Sequence, residues 1–474
     1  MKLNPKKVAF FHSHLFWIPH FETELELINK FQKSGSDVIS YVCNSGLKKC
    51  DSNVNGSLKT CFQCILKRKN GFNLLDKEVR EVPIILKYNK LKLQIPNSIA
   101  ELKLLFYLNY DVGYAILSSI ITIFRNPNLK ISEHKKYFED FLLLSISLYD
   151  FFLESLKKEK PDLVVIFNGR FVYTRVLVRV CEYLNIEYVT HERGSNFDKY
   201  MLFNNSLPHD LKYLNSLIDK HWQESGASED KVFIAESFYK ARLNASNKDW
   251  IPFIKNQNFE ELPIDFNFNK INISVFLSSD DEFMAISDSW ERPLFESQME
   301  GINFLLDFLG NNPKYQIYFR MHPNSIKDKI LLNNLYSLNF DNIMVIEPKS
   351  TISSYKLLKN SNVNIVFGST IGVESCFWGI PCINLDNAMY YDLDVTYNPN
   401  NKIEIISLLN ENNLVNKPIL GALKYGYFFN TFGSKFDFFM PSDYVSGTIK
   451  NIDIKELFSI KRYMKFWINK FFSV

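Results

Sequence analysis

The sequence predicts a two-domain α/β protein, with each half built from buried parallel strands alternating with helices. Two observations carry this expectation. Short apolar runs alternate with helical spacings in two separate series, and a polar stretch holding Pro252 and Pro263 divides them. Length agrees, because 474 residues exceed one ordinary core.

The first series opens with an apolar strand over residues 8–11. Glu22, Leu25, Leu27, Ile28 and Phe31 follow at helical spacing, Gly35 closes that helix, and residues 38–42 form the next strand. Residues 45–100 read as irregular and basic, and residues 101–158 as helical and amphipathic, so 45–158 is expected to be an insertion that is partly helical and carries cysteines. A buried strand over 163–167, a turn at Asn168-Gly169-Arg170, a helix over 174–183 and a strand over 187–190 complete the half. The expected domain is 1–243, followed by a linker at 244–269. The second series has strands over 271–277, 316–320, 343–346, 363–367 and 382–385. Its helices cover 296–309, 353–359 and 371–378, the last closed by Gly379 and Pro381. This domain is expected to span 270–440, with a helical segment over 441–474. Two such halves fit two Rossmann-like domains facing a cleft.

Composition narrows the function. A net charge of +3 is small for this length and gives no reason to expect nucleic acid. The N-terminal stretch MKLNPKKVAFFHSHLF carries His12 and His14 and no small-residue cleavage site, so it reads as a buried strand rather than an export signal. The most apolar later stretch, residues 112–124, is shorter than the roughly 20 residues of a spanning helix. A cytoplasmic protein is expected, soluble or held only at the inner face of a membrane. Its seven cysteines are then expected to be reduced. Cys43, Cys50, Cys61 and Cys64 lie close in sequence and could ligate zinc, or could be plain thiols of a loop-rich insertion.

Four motifs carry chemistry. In the first, the strand ending at Phe367 runs into Gly368-Ser369-Thr370 and a helix holding Glu374. Free amides and the positive end of the dipole make such a turn an anion site, and an ordinary hydroxyl cap is the alternative. The second is Arg320-Met321-His322-Pro323-Asn324. Pro323 biases His322 towards extended backbone at a strand end, from where the imidazole can meet a phosphate. The third, Ser278-Ser279-Asp280-Asp281-Glu282, follows the first strand of the second half, and fits either hydroxyl recognition or a helix start. The fourth is His191-Glu192-Arg193-Gly194-Ser195. Here Glu192 could act as a general base, or Arg193 could hold it as an ion pair.

These segments, with Ser353-Ser354-Tyr355 and Gly379-Ile380-Pro381, resemble bacterial capsule and surface-polysaccharide biosynthesis proteins. That group is of GT-B type and includes transferases for Kdo and sialic acid. The resemblance covers residues 270–400 and, more loosely, 1–240. It implies a GT-B glycosyltransferase moving a sugar from a nucleotide-sugar donor to a glycan or lipid-linked glycan. Ser278, Ser279, Arg320, His322, Tyr355, Gly368, Ser369, Thr370 and Glu374 would bind the nucleotide, and Glu192 and His322 would serve catalysis. No cofactor and no catalytic metal are implied, and a CMP-linked donor is among the candidates. The alternatives are a polyol-phosphate transferase, a nucleotide-sugar epimerase, or a non-catalytic assembly protein on the same fold. Residues 457–474 mix apolar and basic side chains. They fit a membrane-surface helix or a helix packed back on the first domain, and their apolar positions form no clean stripe.

Overall fold

The computed structural model describes residues 5–47, 49–88, 93–126, 129–226, 229–243, 256–279, 285–327, 329–411 and 414–465. The chain divides into two compact units, the first comprising residues up to Pro208, Met284–Ile286 and the chain from Gly433, the second His209–Phe283 and Ser287–Phe432.

The first unit begins β1 (Lys7–Phe11), α1 (His20–Lys33), β2 (Asp37–Val42), α2 (Leu58–Phe72), β3 (Arg80–Pro83) and α3 (Ile99–Lys103). It continues α4 (Val112–Phe124), α5 (Ile131–Glu159), β4 (Leu163–Phe167), α6 (Val172–Leu184), β5 (Glu187–Arg193) and β6 (Lys199–Asn204). The strands lie in the order β6-β5-β4-β1-β2-β3. All neighbours are parallel except β5 and β6. Central strands such as LVVIF are apolar throughout because both faces are covered. Phe11, Tyr41, Val164 and Ile166 pack with α4, α5 and α6, while Val8, Phe10 and Val165 pack with α1. The apolar run of α4 is thus that of a core helix. The predicted irregular region 45–100 holds α2 and β3. The strand is missed in sequence because Arg80-Glu81-Val82-Pro83 is a short, polar edge strand ending in proline.

The second unit contains α7 (Leu211–Glu224), α8 (Glu229–Leu243), β7 (Ile271–Phe276), α9 (Gln298–Leu309), β8 (Tyr315–Arg320), α10 (Lys329–Tyr336) and β9 (Ile343–Ile346). It ends α11 (Ser354–Asn360), β10 (Val363–Val366), α12 (Ile371–Phe377), β11 (Cys382–Asn384), α13 (Lys402–Asn410) and α14 (Leu420–Thr431). Its sheet is fully parallel, ordered β11-β10-β7-β8-β9. The unit boundary therefore falls after Pro208, not in the predicted linker, of which residues 244–255 lie outside the described chain. The reason is packing. Tyr239 of α8 is fully buried, donates its hydroxyl to the Ala422 carbonyl at 2.6 Å, and stacks on Phe377. Gly426 lets α14 approach α8 closely, since a Cβ there would meet the Ala235 carbonyl oxygen at 2.6 Å.

The chain then returns to the first unit. β12 (Ser434–Lys435) extends the first sheet beside β6, and β13 (Phe439–Pro441), β14 (Gly447–Ile449) and β15 (Ile452–Asp453) form a small antiparallel sheet. The segment predicted helical over 441–474 is thus strand to Asp453, a 3-10 turn over Ile454–Phe458, and helix from Ile460.

Lys67 and Glu22 form a fully buried ion pair at 2.8 Å, and the ammonium also donates to the Leu15 carbonyl at 2.6 Å. Removing one partner leaves a buried charge without compensation. Lys67→Met should cost about 3–5 kcal/mol in urea unfolding, and adding Glu22→Leu should restore most of it.

Candidate functional site

In the second unit the three central strands β10, β7 and β8 end side by side, and their following turns carry the predicted residues. Gly368 has φ +76°, its amide donates to Asn384 Oδ1 at 3.0 Å, and a Cβ would meet the Asn387 carbonyl oxygen at 2.5 Å. Glycine is required there by another stretch of chain. Ser369 is half-buried and Thr370 exposed, and Thr370 makes no side-chain cap bond to α12. Ser278 donates its hydroxyl to the Phe367 carbonyl, and its amide donates to Gln298 Oε1 at 2.9 Å, so it stitches the ends of β7 and β10 together. Ser279 is buried beside it. The acidic run Asp280-Asp281-Glu282 lies outside the described residues.

The His322 ring accepts the Asn324 amide at Nδ1, 3.1 Å away. The neutral ring therefore carries its proton on Nε2, a donor suited to an anionic oxygen. Arg320 is buried at the end of β8. Its Nε donates to Ser354 Oγ at 3.2 Å and its Nη1 to the Glu347 carbonyl at 2.9 Å. Nη2 is buried without a hydrogen-bond partner, and no carboxylate pairs with the guanidinium among the described residues. Burial alone pushes its pKa down to about 10.

Glu374 and Tyr355 take a different position from the predicted one. Both are buried, Tyr355 donates its hydroxyl to Glu374, and Arg242 Nε lies 3.3 Å from the same carboxylate. Burial, then the carboxylate, holds the Tyr355 hydroxyl well above its ordinary pKa. Their polar atoms tie α8, α11 and α12 together.

The first unit holds a second constellation, again at the carboxyl ends of parallel strands. His12 and His14 follow β1, Asn168 follows β4, His191, Glu192 and Arg193 end β5, and α1 begins with His20, Glu22 and Glu24. Asn168 donates to Glu192 Oε2 at 2.6 Å, and the Arg193 amide donates to Oε1 at 3.0 Å. The Arg193 guanidinium reaches the Ile18 carbonyl. His20 Nε2 lies 3.7 Å from Glu192 Oε1, and its Nδ1 is buried without a partner. Burial, then the Arg193 charge, holds His20 well below the ordinary histidine value, so this imidazole is neutral at pH 7.

Beneath it, Glu24 meets His12 Nδ1 directly and lies 3.5 Å from His191 Nε2, while His12 Nε2 meets Ser40 Oγ at 3.0 Å. Ser40-His12-Glu24 has the connectivity of a nucleophilic triad. Ser40 nevertheless sits in mid-strand between β1 and β3, fully buried, where no substrate carbonyl can reach it. The trio is a buried polar bracket.

Sequence reasoning finds Glu192 and misses His20, Glu24 and Asn168. The signal was two histidines after a buried strand, followed by a helix whose first turns carry Glu22 and Glu24. That is the same strand–turn–helix pattern used for Gly368.

Cys43, Cys50, Cys61 and Cys64 all line one pocket of about 220 Å³, together with Phe11, His12 and Tyr173. Burial raises the Cys64 thiol to about 12 and lifts Cys50 well above its usual value. No group of three or more His, Cys, Asp or Glu side chains among the described residues is placed to hold a metal ion.

No protein-family model and no curated protein sequence matches this chain. Among solved structures it is similar to Thermosulfurimonas dismutans KpsC, a beta Kdo 2,4 transferase, at 12% identity and a TM-score of 0.38, over 56% of this chain and 79% of that one. It is also similar to UDP-GlcNAc 2-epimerase from Neisseria meningitidis bound to UDP-GlcNAc, at 14% identity and a TM-score of 0.31, over 89% and 96%. A third is the glycotransferase of kitacinnamycin, at 9% identity and a TM-score of 0.26, over 89% and 94%. The fold class rests on the chain's own two sheets.

His20 gives stability a defined pH slope. As pH falls below the ordinary value of 6.5, the unfolded chain binds a proton at this position before the folded one does. Stability should therefore fall with pH in that window and be fully present above it. Urea melts between about pH 7.5 and about pH 5.5 should show this, with a shallower slope in His20→Gln.

Proposed function

We propose that the chain is a GT-B-type glycosyltransferase that moves a sugar from a nucleotide donor to a hydroxyl of a growing surface glycan. One observation carries the reading beyond the sequence resemblance. Arg320 is a buried guanidinium without a carboxylate partner among the described residues, on the same sheet edge as the His322 ring and the Ser369 and Thr370 hydroxyls. A desolvated cation with an unmatched donor is costly unless an anion or a carbonyl-bearing ligand completes it. A nucleoside phosphate supplies both kinds of acceptor.

In this reading the second unit holds the donor. As the bond from the anomeric carbon to the phosphate oxygen breaks, charge grows on that oxygen. His322 Nε2–H, Ser369 and Thr370 then stabilise it, and Arg320 anchors the nucleotide. The first unit supplies the base. Glu192, held by Asn168 and the Arg193 amide, accepts the acceptor hydroxyl proton as the new glycosidic bond forms. Neutral His20 behind Glu192 adds no positive charge that would weaken it as a base.

Thermal shifts with CMP-, UDP-, GDP- and CDP-linked sugars should pick out one donor class. Arg320→Met, and Ser369→Ala with Thr370→Ala, should each lose that shift while the unliganded melting temperature changes little. Glu192→Gln should keep the shift and lower turnover about a hundredfold or more. If no donor class raises the melting temperature, the reading fails. If the donor is rearranged without acceptor, the enzyme is an epimerase instead.

A further inference from the structure

The C-terminal helix shows a register that the sequence hides. Leu457 is fully buried, Phe458 stacks on Phe16 at 5.8 Å between ring centroids, and Asn70 donates to the Leu457 and Ser459 carbonyls. These residues belong to the 3-10 turn and its exit, anchored on α2. Ser459 then starts a new helix, its hydroxyl accepting the Arg462 amide at 3.3 Å and its carbonyl the Tyr463 amide at 3.2 Å. The apolar count therefore begins at Ile460 and not at Leu457.

Ile460 and Met464, one turn apart, are 53% and 56% exposed, although the preceding apolar residues are packed. The sequence beyond the described residues is also rich in apolar side chains, with Phe466, Trp467, Ile468, Phe471 and Phe472. Lys461 and Lys465 are exposed, Arg462 lies 3.7 Å from the Glu456 carboxylate, and no acidic residue occurs in the sequence from Ile460 onward. Basic residues recurring throughout the stretch are incompatible with a helix crossing the hydrocarbon.

We infer that this helix is a docking surface for an anionic lipid bilayer, lying in the plane of the interface. Ile460 and Met464 enter the acyl boundary, and Lys461 and Lys465 meet the headgroup charge. Charge decides the occupant. An exposed apolar pair flanked by the exposed Lys461 and Lys465 matches a surface that is apolar inside and negative outside. A second copy of the same basic helix would bring like charges together.

The test uses the full chain and flotation with vesicles of phosphatidylcholine alone or mixed with phosphatidylglycerol. The protein should float with the mixed vesicles at low salt, and less as salt screens the lysines. Lys461→Glu with Lys465→Glu should cut partitioning by about tenfold or more. Ile460→Asp with Met464→Asp should do the same, and both variants should melt like the parent. Equal flotation on neutral vesicles, or flotation unchanged in either variant, overturns the inference. So does a failure to float at low salt. A dimer in light scattering that only the variants lose, without flotation, assigns the face to a second copy instead.

Discussion

The ammonium group of Lys67 is the point on which the first unit's polar strand edge depends. It is fully buried, paired with Glu22, bonded to the Leu15 carbonyl, and flanked by the rings of Phe21 and Phe458. Four separate pieces of chain meet at this atom: α2, the start of α1, the loop after β1 and the returning C-terminal segment. A buried cation tolerates no slack in its partners, because each lost contact leaves charge in a low dielectric. The loop carrying His12 and His14, and the first turn carrying His20, are thereby fixed where β1, β4 and β5 end.

The two units use one topological device to gather different side chains. Parallel strands all end at one edge, so turns distant in sequence become neighbours there. In the first unit that edge gathers imidazoles and carboxylates, groups that hold or move protons. In the second it gathers hydroxyls, a histidine N–H and an incompletely paired guanidinium, groups that meet negative charge.

Much of this was legible in the sequence where one rule acted alone. The strands of the second unit, the Gly368 turn and the His322 strand end follow from apolar runs and breaker residues. Reading failed where distant chain decides. Gly368 is fixed by Asn387, a loop nineteen residues on, and Glu374 by Arg242, a helix before the sheet begins. The boundary at Pro208 depends on α8 finding α14, which no local pattern reveals. His20 and Glu24 were not singled out, because burial of charge depends on partners that periodicity cannot show.

Glu26 gives this architecture an order in time. Its buried carboxylate accepts the backbone amides of Asp437, Phe438 and Phe439, at 2.7 to 3.1 Å, across 411 to 413 residues of chain. Between Pro208 and Gly433 the chain builds the other unit, apart from a short return at Met284–Ile286. On the ribosome, α1 is made early and its carboxylate then has no amides to receive it. The first unit can be completed only after the whole second unit has emerged, so the inserted unit is free to fold first while the earlier-made one waits open for its last strands.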